Sequence, residues 1–352
     1  MEYKYSREYL LGTGVGLQDV DHLKTSEYFN KESQRYLSGE ITLEEFGQLI
    51  DDYYKHKPDI DENALEADKV SIKIGELIQD NSFTFTVGQF LSIHRYLFDG
   101  VFKHAGQMRT YNITKKEWVL EDDTVMYGDY RELEATLQYD FGVEKQFNYS
   151  KLSIDRTIER LAIFTANLWQ IHVFPEGNTR TVAVFLIKYL RSLGFDVSND
   201  LFKKNAWYFR NALVRANYTN IPKGIYEDRT FLVKFLRNLL LGENNVLENK
   251  LLHISLVENR NKMSREEKVV DLMKADPKIK TGEIALELGV SLRTTKSIIA
   301  SLGANGIIER MNGKKYGYWN VKWKGLKKPF IFEILYQNLS FSQGIYSLLD
   351  NR

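Results

Sequence analysis

Cysteine is missing altogether from this 352-residue chain, which rules out a disulfide framework, cysteine-ligated zinc and thiol chemistry, and suits a reducing compartment. Proline is scarce, with five residues, and glycine stands at 23, so the composition is neither collagen-like nor that of a proline-rich disordered chain. No run approaches the roughly 20 apolar residues of a membrane span, and the opening MEYKYSREYLLGTG lacks a basic flank followed by a long apolar core. The expectation is a cytoplasmic protein with no membrane partner. Packing material, by contrast, is plentiful. With 20 Phe, 21 Tyr and 5 Trp in a chain that is 43% hydrophobic, there is enough for one large domain and a smaller one.

Net charge is also nearly absent, with Lys+Arg 48 against Asp+Glu 47, but the balance hides a gradient. Residues 1–68 carry 7 basic and 16 acidic side chains, whereas residues 262–352 carry 16 basic and 9 acidic. An acidic front and a basic tail suit different partners, nucleic acid being the natural one for the tail; two solvated faces are the plain alternative.

Helical spacing dominates the pattern. Residues 25–57 read as two helices split at Ser38-Gly39, with Thr42 and Glu45 as a capping box. Val70, Ile74, Ile78 and then Phe90, Ile93, Leu97 mark helices over 64–80 and 87–101, and further helices are expected at 130–141, 154–171, 178–193, 205–217 and 228–241. Alternation around Tyr111, Ile113, Trp118 and Leu120 predicts one short β-hairpin. After a polar linker at 242–263, residues 264–321 read as three helices, with Gly289 at the turn and Ser291 as a cap, then a two-stranded ribbon turning at Asn312-Gly313. That is a winged helix-turn-helix. The tail 322–352 has no assignable role. The fold class expected is mainly α, with one β-hairpin and a small C-terminal winged-helix domain.

The densest chemical signal is Ile171-His172-Val173-Phe174-Pro175-Glu176-Gly177-Asn178-Thr179-Arg180. A His at the exit of one helix meets the start of the next, where Gly177, Asn178 and Thr179 offer backbone N–H groups without helical partners. Such a helix start attracts anions, and Arg180 adds a fork of donors suited to phosphate. Glu176 places one carboxylate beside it, which suits Mg²⁺ better than zinc. His172 is a natural general base for a hydroxyl attacking phosphorus. The same residues also fit a structural His ahead of a Pro-Gly turn and a solvated Arg.

His172, Phe174, Glu176, Gly177, Asn178 and Arg180 match H-x-F-x-[D/E]-G-N-x-R-x-x-R, and on them the chain resembles the Fic family over roughly residues 85–241. The resemblance implies a Fic-type helical catalytic domain that moves AMP from ATP to a Ser, Thr or Tyr hydroxyl of a target protein, itself included, with Mg²⁺. It implies His172 as base, Glu176 as metal ligand, and Gly177, Asn178, Thr179 and Arg180 as the phosphate nest. The hairpin would be a flap, about 110–119, in which Tyr111, Ile113 and Trp118 position the target as an added strand. The stretch 207–217 looks like the helix lining the nucleotide pocket, so Asn205, Tyr208 and Asn211 are the candidate base contacts. Val173 and Thr179 depart from the commonest pattern, and the family's second Arg is replaced by Ala183, which predicts a relaxed outer-phosphate site. The family's inhibitory motif is not found. Residues 1–84 nonetheless resemble an antitoxin-like helical region with Asp21 in place of the inhibitory Glu; facing Ala183, Asp21 would have no ion pair to make.

The alternative function is a DNA-binding regulator whose Fic-like domain senses a nucleotide. It would contact duplex DNA through Arg293, Thr294, Thr295 and Lys296 at the start of the second helix and Lys314 and Lys315 in the wing. Self-association is left open. His94 and His104 read as structural, and His22, His56 and His253 have no partners at metal spacing.

Overall fold

The computed structural model describes residues 5–256, 263–312 and 317–322. The chain divides into two compact units, Met1–Ile221 with Ile225–His253, and Pro222–Gly224 with Ile254–Arg352. No helix among the described residues is long and apolar enough to cross a membrane.

The first unit is helical: α1 (Arg7–Gly16), α2 (Glu27–Leu37), α3 (Leu43–His56), α4 (Glu62–Gln79), α5 (Val87–Phe98), α6 (Leu133–Lys145), α7 (Ile154–Ile171), α8 (Asn178–Ser192), α9 (Leu201–Ala216) and α10 (Thr230–Leu241). Side chains of Ser6, Ser26, Thr42, Asp61, Thr86 and Ser153 cap six of these helix starts, each accepting from an N–H that has no helical partner. At Thr42 the capping box with Glu45 is complete.

Helix α8 is the centre of this unit, every residue from Asn178 to Leu190 being buried. Phe185 on it sits in a cluster of rings from Phe83, Phe85, Phe90 and Phe141. The one lysine on its buried length, Lys188, is satisfied by the carbonyls of Leu77 and Asp80 at 2.7 and 2.6 Å, which ties α8 to the end of α4.

Helix α1 was not expected from its glycine-rich sequence. Its glycines are spacers: a Cβ on Gly14 would lie 2.1 Å from the Ser71 carbonyl oxygen of α4, and one on Gly16 would lie 2.4 Å from Lys203 Cα of α9. They let α1 lie directly against two neighbours, against a helix penalty of roughly 1 kcal/mol for each glycine.

The hairpin at 110–119 is a correction. No strand forms there: Trp118–Leu120 is a 3₁₀ turn, and the arms share the backbone bond from Glu117 N–H to the Asp123 carbonyl at 3.0 Å. Glu121 and Asp122 both adopt positive φ, so the chain reverses without a ladder.

The second unit has α11 (Arg265–Ala275), α12 (Thr281–Leu288) and α13 (Leu292–Ala304), followed by β1 (Ile308–Met311) antiparallel to β2 (Tyr318–Val321). Val269, Leu272, Met273, Ile284, Ile298, Leu302 and Ile308 form its core. Gly289 ends α12 at φ 60°, and the Ser291 side chain caps α13. Met311 stands opposite Tyr318, and Gly313 of the expected Asn312-Gly313 turn lies outside the described residues.

Candidate functional site

The site is built where α7 ends and α8 begins. His172 terminates α7 in the left-handed conformation, φ 51° and ψ 59°. For a residue with a Cβ this persists only where neighbours fix it. Arg109 does so: its Nε donates to the His172 carbonyl at 2.7 Å, its other nitrogens reach the carbonyls of Tyr111 (2.7 Å) and Gly128, and its own N–H donates to the Val173 carbonyl. One buried guanidinium therefore holds the base of the 110–128 loop against the site.

The His172 side chain is 4% exposed, and neither ring nitrogen has a hydrogen-bond partner among the described residues. Its ring lies between Tyr127 (centroids 4.2 Å apart) and Trp169 (5.3 Å, edge-on). Burial first, then the charges of Lys115 and Arg210, holds its pKa well below the ordinary histidine range. It is a neutral imidazole with a free lone pair.

On the α8 side the turn is fastened by hydrogen bonds. The Asn178 side chain closes it, accepting from Phe174 N–H at 2.9 Å and donating to the Phe174 carbonyl at 2.7 Å. Gly177, at φ 76°, must lack a Cβ because one would lie 2.4 Å from the Phe98 ring. His94 receives the Gly106 N–H on Nδ1 (2.8 Å), so its Nε2 carries the proton and donates to the Glu176 carbonyl (3.0 Å). Buried and stacked on Phe174 at 3.6 Å, its pKa is pushed down to about 3. His94 is structural, as its sequence context suggested. Thr179 Oγ1 accepts from Trp169 Nε1 at 2.9 Å, joining the two helices.

Among the described residues no side chain caps α8, since Gly177 stands at the cap position, and its first N–H groups face the turn. Half-exposed Glu176 stands beside them, its carboxylate paired with Lys115 at 2.7 Å. Arg180 does not point into this cradle. Its guanidinium, 1% exposed, donates to Gln18 (2.9 Å) and pairs with Asp21 (2.9 Å) and Glu66 while lying over the Phe98 ring. The expectation that Asp21 would face Ala183 without a partner is therefore corrected. Asp21 pairs with Arg180, and Ala183 is wholly buried.

The proposed base contacts on α9 fare unevenly. Tyr208 is core, its hydroxyl donating to the Phe231 carbonyl at 3.3 Å. Asn211 donates to Asn249 Oδ1 at 2.8 Å, and its own Oδ1 is buried without a donor. Asn205 sits at a kink and bonds the Leu201 carbonyl. In the 110–119 loop, Tyr111 and Trp118 are exposed and Ile113 is half-buried.

Sequence reasoning missed Arg109, Glu117, Tyr127 and Arg210. Glu117, fully buried, receives both terminal nitrogens of Arg210 and the Tyr127 hydroxyl (3.0 Å). Tyr127 in turn packs on His172. Only the alternating in-and-out pattern before Trp118, which puts a charged residue at a buried position, could have flagged Glu117.

Residues 84–190 match the Fic/DOC family model. That segment contains His172 to Arg180 and the Arg109 clamp. The chain is also 28% identical over 141 residues to a probable protein adenylyltransferase, y4lH, of Sinorhizobium fredii, covering 40% of this chain and 69% of that one. A Fic family protein from Desulfovibrio desulfuricans G20 aligns structurally at 15% identity with a TM-score of 0.42, over 91% of this chain and 88% of that one.

In the second unit, Arg293 and Lys296 are exposed near the start of α13, and Thr294 is half-buried. Thr295 is a correction: it is 0% exposed, with its hydroxyl on the Ser291 carbonyl, so it serves the core and presents nothing to a groove. Lys314 and Lys315 lie outside the described residues, as does the tail beyond Lys322.

Proposed function

We propose that this protein is a protein adenylyltransferase that moves AMP from ATP to a Ser, Thr or Tyr hydroxyl of a protein, itself included. The observation that carries the reading is His172: a buried, neutral imidazole with no competing hydrogen bond among the described residues, at the mouth of a helix start that Gly177 leaves without a side-chain cap. In this reaction the hydroxyl oxygen bonds to the α-phosphorus, the bond to the bridging α–β oxygen breaks and pyrophosphate leaves. The hydroxyl proton passes to His172. A base that stays unprotonated at neutral pH is ready for that step without prior deprotonation.

The donor set suits a magnesium ion. Among the described residues there is no cluster of three His, Asp or Glu side chains, so a metal here would take most of its ligands from phosphate oxygens and water, with Glu176 as the protein carboxylate. Bound there, it would neutralise and orient the phosphates. The N–H groups of Gly177, Asn178 and Thr179 supply the remaining anion contacts. Arg180, engaged with Asp21 and Glu66, would have to be released to join them, which makes Asp21 a restraint on the site. The 110–116 segment has few backbone hydrogen bonds of its own, which suits pairing with an extended target. Incubation with ATP labelled at the α or the γ phosphate tests the reading: label should reach protein from the α position alone, and γ label on protein would overturn it.

A second reading concerns the second unit. Three helices with a Gly289 turn, a two-stranded ribbon, and exposed Arg293 and Lys296 support a winged helix that binds duplex DNA. Arg293→Ala with Lys296→Ala in the full chain should weaken a low-salt mobility shift, and no shift with any duplex pool would remove the reading.

A further inference from the structure

A general base usually has its second ring nitrogen tied to a carboxylate or carbonyl, which fixes both tautomer and orientation. Among the described residues neither nitrogen of His172 has such a tie. Its ring must be aimed by contact. Two flat surfaces touch it: Trp169, anchored by Thr179 at 2.9 Å, and Tyr127, 4.2 Å away and tilted by 38°.

Tyr127 belongs to the loop rather than to a helix, so something must hold it. Its hydroxyl donates to Glu117 Oε1 at 3.0 Å, and Glu117 is gripped by the Arg210 guanidinium from α9, itself stacked over Trp207. A fully buried carboxylate with this partner set is rigid, because separating it from Arg210 would leave two charges unpaired away from water. The chain of contacts α9, Arg210, Glu117, Tyr127, His172 thus ends on the ring of the proposed base.

We infer that Tyr127 is a positioning residue for His172, its ring aiming the imidazole and its hydroxyl anchored through the Glu117–Arg210 pair. The inference rests on the AMP-transfer reading for its kinetic consequence and on geometry alone for its structural one. A misplacement of about 1 Å at a reacting group costs on the order of 10²-fold in rate. Tyr127→Leu should therefore lower kcat by about that factor while leaving the Kd for ATP unchanged, and Tyr127→Phe, which keeps the ring but loses its anchor on Glu117, should fall between that variant and wild type.

The experiment pairs single-turnover AMP transfer with modification of His172 by diethyl pyrocarbonate, followed by peptide mass spectrometry. Wild type should react slowly at His172, Tyr127→Leu quickly, and Tyr127→Phe at a rate between the two; Tyr127→Met, unbranched and without a flat ring, replaces the leucine variant if that one fails to fold. Equal modification rates in wild type and the leucine or methionine variant, or an unchanged kcat in either, would overturn the inference. Absence of AMP transfer in wild type would instead defeat the functional reading, and the modification arm would still decide whether Tyr127 holds the ring.

Discussion

His172 and Arg180 flank one short turn and are both buried, yet among the described residues His172 makes no side-chain hydrogen bond and is held by the rings of Tyr127 and Trp169, whereas Arg180 is held by Gln18, Asp21 and Glu66. The contrast follows from what each can give up. On the proposed reading His172 is a base that must keep one lone pair free, and here ring contacts hold it. A helix start can be fastened by charge, at the risk of trapping the group that the anion needs. Changes on the α7 side should accordingly show in rate, and changes on the α8 side in stability first.

The largest stability effect should come from stripping Arg180 of its carboxylates. Asp21→Ala with Glu66→Ala leaves a buried guanidinium uncompensated, which typically costs about 3–5 kcal/mol, measured by urea unfolding. Asp21→Ala alone, removing the more exposed partner, should cost less and raise AMP transfer as Arg180 is freed. A single variant that is both less stable and less active would break the comparison, because Arg180 would then be structural on both counts.

Acid sharpens it next. The folded-state pKa of His94 lies near 3, below the ordinary 6.5, so its contribution to stability is complete above pH 6.5 and is lost progressively as pH falls toward 3. His172 shifts in the same direction. Unfolding midpoints should drop between pH 7.5 and 4.5 in wild type, and by less in His94→Gln. An equal drop in the two proteins would assign the acid sensitivity to carboxylates instead.

Much of the helical frame could be read from spacing, because caps and apolar stripes are local: Thr42 with Glu45, and Val70, Ile74 and Ile78, behave as their pattern implies. Helix α1 was hidden because glycine is a poor helix former in isolation, and only the closeness of Ser71 and Lys203 explains Gly14 and Gly16. The loop at 110–119 alternates like a strand because Glu117 and Val119 turn inward, but its inward groups bond to α9 and the core rather than to a second strand. In the site, the motif from His172 to Arg180 was legible as chemistry. The partners of its side chains were not, since Asp21, Glu66, Glu117 and Arg210 reach it from distant parts of the sequence. Tyr208 and Thr295 had the right chemistry for a ligand and are spent on the core, a distinction that only burial makes.

On the proposed reading a neutral, packed His172 takes the proton of the attacking hydroxyl. The most direct test is single-turnover AMP transfer by His172→Ala from α-labelled ATP, with nucleotide affinity measured in parallel. The account predicts a loss of about 10²- to 10⁴-fold in the transfer rate with ATP still bound as in wild type. Transfer at the wild-type rate in that variant would contradict it.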